Sequence, residues 1–217
     1  MPLPPFDRNF SGAVKLAYWI KLNSWFVSTE EKVNVADGRV WPAFKNAVEK
    51  HGQKKIQLHF RDELKNTSMS LANLEPENSF DILIPTMSFN TCYKRFAICK
   101  ELCHILTDSV SAVPTDPVEQ IKGALQTVEN VQKAPMEFWK NPFFKDNPLS
   151  SENFCFLLAL EILIPTKERD KMVSAVVSGV NPYDVAFHLR IPELLVKFYV
   201  KSGYQYVFKR VVKEILG

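Results

Sequence analysis

The run Phe-Cys-Phe-Leu-Leu-Ala-Leu-Glu-Ile-Leu-Ile-Pro at 154–165 limits what this chain can fold into more than any other stretch. As a helix it is apolar on nearly every face, and such a helix has to be buried. It contains Glu161 and is too short to cross a bilayer. The run therefore predicts a core helix over 152–164, stopped by Pro165, with the rest of the chain packed around it.

The chain supplies enough material for that packing. Its 217 residues suffice for one large domain or two small ones, with 46% hydrophobic and 24% charged residues as in ordinary soluble globular proteins. Seven Gly against 14 Pro, with no G-x-G-x-x-G or G-x-x-x-x-G-K, argue against a Gly-rich phosphate-binding fold. A formal net charge of +3 permits contact with nucleic acid without demanding it. The opening MPLPPFDRNF lacks the charged start and apolar run of a signal peptide, so a cytoplasmic protein with no membrane partner is expected.

Around the core helix the pattern is mixed. Residues 10–26 and 41–52 read as helices, the second stopping at Gly52, with a turn at 36–39 between them. Ile56, Leu58 and Phe60 alternate and predict a strand; SFDILIP at 79–85 predicts another, closed by Pro85. A helix opens within 90–108, with Asn90 or Thr91 as possible caps and its body over 94–108, and a further one is expected within 113–132, where Thr115 or Asp116 before Pro117 is the start signal. The stretch 133–151 reads as an irregular packed loop. The last 50 residues read as three or four short helices broken at 179–182. The fold class is α+β, predominantly helical, with a small mixed sheet; the expected domains are 1–165 and a helical C-terminal region, 166–217, packed on it.

The stretch RFAICKELCHILTD (95–108) is one residue from H-E-x-x-H, in which two imidazoles a helical turn apart hold zinc and the glutamate activates water. Here Lys100 stands at the first His position, followed by Glu101 and His104. At about 100° per residue, Phe96, Ile98, Cys99, Leu102, Cys103, Ile105 and Leu106 fall on one half of this helix. Lys100, Glu101, His104, Thr107 and Asp108 share the other half. On these residues alone the helix is amphipathic, with a solvated polar face. Cys92, Cys99, Cys103 and Cys155 read as reduced thiols, since C-x3-C-H on one helix is poor geometry for a closed zinc site.

The segment 80–108 resembles the active-site region of the ImmA/IrrE family of metallopeptidase-like proteins, in which a strand leads into an R-F-[ST]-x-A-H-E-[LI]-x-H-x-L helix. Arg95, Phe96, Glu101, Leu102, His104 and Leu106 match that pattern and Lys100 departs from it. SSENFCFLLALEILIP (150–165) is similar to the family's later helix, E-x-x-A-N-x-F-A-x-x-L-L-M-P, which carries an acidic third ligand near its start. VNPYDVAFHLRIPELLVKFYV (180–200) is similar to the helix-turn-helix-like region beyond it. The resemblance covers about residues 80 to 200.

The resemblance implies a zincin fold in which Glu101 is the general base and His104 a zinc ligand. Its spacing puts the acidic ligand at Phe154, a second departure; Glu152 lies two residues earlier, about 200° around the helix, and serves only if the helix starts differently. An ammonium has no lone pair and repels a divalent cation. The expectation is therefore a degenerate site, a regulatory protein from a mobile-element setting with no cofactor, or zinc if the site still functions. It would act by binding a repressor-like protein, with the Lys100 ammonium neutralising Glu101 or Glu152 in place of a metal. One alternative is an active atypical zinc endopeptidase that cleaves a regulatory protein. Another is a DNA-binding regulator using the C-terminal segment, which carries nine Lys/Arg and five Asp/Glu over 167–217. His51, His59 and His188 have no partner by spacing and read as surface or hydrogen-bonded residues.

Overall fold

The computed structural model describes residues 3–22, 40–61, 70–74, 78–85, 91–107, 146, 148–164 and 166–216. The helix expected over 113–132, the turn at 36–39 and nearly all of the loop at 133–151 lie outside the described residues. Among the described residues the chain is α+β and mostly helical. Its elements are α1 (Phe10–Leu22), α2 (Val40–Gly52), β1 (Lys55–Arg61), β2 (Ser70–Leu74), β3 (Ser79–Pro85) and α3 (Thr91–Leu106). After these come α4 (Ser151–Leu163), α5 (Thr166–Val177), α6 (Pro182–Leu189), α7 (Glu193–Tyr199) and α8 (Ser202–Leu216).

The core helix forms where the apolar run demands it. Ser150 caps α4 by accepting a hydrogen bond from the Asn153 amide, and residues 154–163 are all buried. α1 and α3 pack along it. The carbonyl of Ile164, left over at the end of α4, accepts a hydrogen bond from the buried Lys21 ammonium of α1 at 2.8 Å. The sheet is small and mixed, in the order β1-β3-β2, with β3 parallel to β1 and antiparallel to β2. Ile56 pairs with Phe80 and Leu58 with Ile82, so the alternating apolar residues turn to one face against the helices. β2, Ser-Leu-Ala-Asn-Leu, had no sequence signal. β3 leads into α3, and the expected order of strand, connection and motif helix is what forms.

The C-terminal quarter is four helices, α5 to α8, and α5 ends at Val177 while α6 begins at Pro182, so the break expected at 179–182 falls between them. It is tied to the rest of the molecule through buried charge. Glu161 of α4, wholly buried, pairs with Arg169 of α5 at 2.5 Å and accepts a hydrogen bond from the Tyr204 hydroxyl of α8, also at 2.5 Å. The Arg169 guanidinium lies 3.8 Å from the Phe208 ring centroid. This network crosses the expected domain boundary at 165/166. Arg95 of α3 makes a second tie: its guanidinium donates to the carbonyls of Leu189 (3.3 Å) and Arg190 (2.6 Å), at the end of α6. Arg190 itself is left-handed (φ 51°) and turns the chain from α6 into α7.

Candidate functional site

The polar half of α3 is not solvated. Lys100, Glu101, His104 and Thr107 are all buried, at 9%, 7%, 4% and 7% exposure. This corrects the amphipathic reading. The face that periodicity assigns to water is covered by the start of α4, whose Ser151, Glu152 and Cys155 meet it. Periodicity within one helix says which residues share a face. It carries no information about what a segment fifty residues later lays across that face.

Glu152 is the hub. One carboxylate oxygen, Oε2, lies 2.6 Å from the Lys100 ammonium, and the other, Oε1, lies 3.2 Å from His104 Nε2. Glu101 stands 3.5 Å on the far side of the same ammonium. Ser151 Oγ is 3.4 Å from His104 Nδ1. The Glu152 side chain keeps 44% exposure while Lys100 and His104 keep 11% and 5%, so the cluster opens to solvent through its carboxylate.

The electrostatics follow from this arrangement. Burial alone would raise the Glu152 pKa, but His104 and Lys100 outweigh it and hold it down to about 2. For His104, burial favours the neutral ring; the Cys155 sulfur and the Glu152 carboxylate override this and lift its pKa to about 10. Lys100 is raised as well, burial being outweighed by Glu101 and Glu152. At neutral pH, then, Glu152 is ionised between an ammonium and an imidazolium. Burial pushes the Cys103 thiol well up, which makes it an inert protonated group. All four cysteines are free thiols, Cys92 half-buried and the others buried.

This donor set does not fit zinc. A zinc ligand must present a lone pair about 2 Å from the metal. The Lys100 ammonium presents none and fills the place at Glu152 that such a cation would take. Phe154, at the position where the family spacing expects an acid, is wholly buried and stacks on Phe6 with centroids 5.5 Å apart. Glu152, the alternative, is the residue that faces His104.

Several partners were invisible in the sequence. Nothing in the spacing marks Ser151 or Cys155 as neighbours of His104. Arg169 and Tyr204 around Glu161 had a signal, an acid inside an otherwise apolar run, which demands a buried donor. Of the scattered histidines, His59 lies 3.0 Å from Asp81 on the adjacent strand, and His188 is exposed on α6. In α7, Leu195, Val196, Phe198 and Tyr199 are buried, and the half-buried Glu193 pairs with the exposed Lys197 at 2.5 Å. A helix reading DNA bases needs several outward polar side chains, and the polar side chains of α7 are Glu193 and Lys197, which pair with each other, and the buried Tyr199. Among the described residues no helix is long and apolar enough to cross a membrane. Comparison with protein-family models, with curated proteins and with solved structures finds no match to this chain.

Proposed function

We propose that this chain is a regulatory protein of the ImmA/IrrE type, with a zincin-like scaffold, that works by binding a protein partner such as a transcriptional repressor rather than by zinc hydrolysis. The observation that carries the reading is the Lys100 ammonium 2.6 Å from Glu152 and 3.5 Å from Glu101. A fixed positive charge from the chain takes the place where the resemblance expects a bound cation. It leaves Glu101 paired rather than poised as a base beside an activated water. Scaffold and recognition surface can outlast the chemistry, because their packing depends on α4 and α3 and not on a metal.

The reading is tested by titrating the purified chain with a repressor-type protein and following both binding and the integrity of the repressor by mass spectrometry. It expects a complex that forms equally well with and without chelator, with the repressor chain intact. Chelator-sensitive cleavage of the repressor would overturn it in favour of an atypical zinc endopeptidase, and the absence of any complex would remove the recognition role.

A further inference from the structure

Helix α8 divides sharply around its axis. At about 100° per residue, Tyr204, Val207, Phe208 and Val211 fall on one side, and all four are buried in the core. On the other side Tyr206, Lys209, Arg210 and Lys213 fall within about 100° of arc. Lys209 and Lys213 are exposed and Arg210 is half-buried. Tyr206 is 40% exposed, whereas Tyr199 and Tyr204 close by in the chain are wholly buried. Its ring lies among the cations, with the Arg210 guanidinium 5.9 Å from the ring centroid. The exposed Glu214 stands at the margin of this face, one acid against three cations.

Lys100, Arg169 and Lys197 each stand beside a carboxylate. Among the described residues, Lys209, Arg210 and Lys213 pair with none. A row of such cations attracts a polyanion, and the ring among them selects which one. A lipid surface would need the apolar face of α8, and the core already holds it. An acidic peptide would answer the charges but give Tyr206 no flat face to lie on. A strand of unpaired bases supplies both in every nucleotide: a phosphate for the cations and an open aromatic face for the ring. The bases of a duplex are stacked on one another, so a duplex answers the charges and leaves the ring without a partner. From Tyr206 to Lys213 the stripe runs about 10 Å along the axis, which limits the contact to a few phosphates.

We propose that the outer face of α8 binds single-stranded nucleic acid without regard to sequence, with Tyr206 stacked on a base and Lys209, Arg210 and Lys213 on the phosphates beside it. This goes beyond the proposed recognition of a regulatory protein and does not depend on it. Fluorescence anisotropy of the full chain with a labelled oligothymidylate of about 20 nucleotides tests it. A duplex of the same length and polyglutamate are measured alongside, with circular dichroism confirming that each variant is folded. The strand should bind with Kd below about 100 μM at physiological salt, and log Kd should rise with log salt with a slope of about 2, as three phosphates require. Tyr206→Ala should weaken the strand about tenfold and leave any binding of the duplex within about twofold. Tyr206→Phe keeps the ring and should bind the strand as the original does. Lys209→Gln should lower the salt slope by about 0.7. A strand that does not bind overturns the proposal. So does a strand indifferent to Tyr206→Ala, a loss shared equally by the duplex, or polyglutamate bound as tightly as the strand.

Discussion

The core helix α4 carries two carboxylates nine residues apart, and the molecule treats them in opposite ways. Glu161 is sealed: it has no exposure, a guanidinium on one oxygen and a tyrosine hydroxyl on the other. Glu152 lies at the open end of the helix, nearly half exposed, and holds its two cations at the edge of solvent. Both are ion-paired, but the consequences differ. A sealed charge is costly to leave alone, so its partners matter for folding. An open one is screened by water, so its partners matter little for folding and more for what the site can bind.

The contrast can be broken most severely at Glu161. Glu161→Leu should destabilise the chain by about 3–5 kcal/mol in urea unfolding, because Arg169 is left as a buried charge without its counterion. Changing Arg169 to Met as well should recover most of that loss, since an apolar pair of similar volume removes the unpaired charge. Tyr204→Phe deletes one hydrogen bond to the same carboxylate and should cost about 1.5–3 kcal/mol. Ser150→Ala removes the cap that starts α4, and with it the positioning of Glu152, at a cost of about 1 kcal/mol.

Glu152→Gln should have the smallest effect on stability at neutral pH, under about 1 kcal/mol given its exposure, while changing the pH profile most. With its folded pKa near 2 against an ordinary 4.5, Glu152 contributes stability that is present above about 4.5 and lost as the pH falls through 2. With its folded pKa near 10 against 6.5, His104 contributes stability that is present below about 6.5 and lost as the pH rises through 10. Unfolding midpoints should therefore fall on both sides of a plateau between pH 4.5 and 6.5. Glu152→Gln should flatten the acid limb and shorten the alkaline one. An unchanged acid limb would show that Glu152 is not held by its two cations.

The same two sites show what was legible in the sequence. Helix α4, strands β1 and β3, and helix α3 were all readable, because apolar periodicity and proline stops are local signals. β2 was not: five residues with two leucines and no clean alternation become a strand only by pairing with β3. That Lys100 stands where an imidazole is expected could be read directly. That it is buried, and touches Glu152 rather than water, could not, because this depends on where α4 begins and on which turn of α4 meets α3. Glu152 and Phe154 lie about 200° apart on the helix, and with α4 capped at Ser150 it is Glu152 that meets Lys100 and His104 while Phe154 is buried against Phe6.

In the proposed reading the Lys100 ammonium stands in for a metal charge. The most direct test is the zinc content of the chain purified without chelators, measured beside Lys100→His. The unmodified protein should carry only traces of zinc, and the variant, which places an imidazole one turn from His104 and facing Glu152, should gain it. Stoichiometric zinc in the unmodified protein would show that the Lys100 ammonium does not replace a metal.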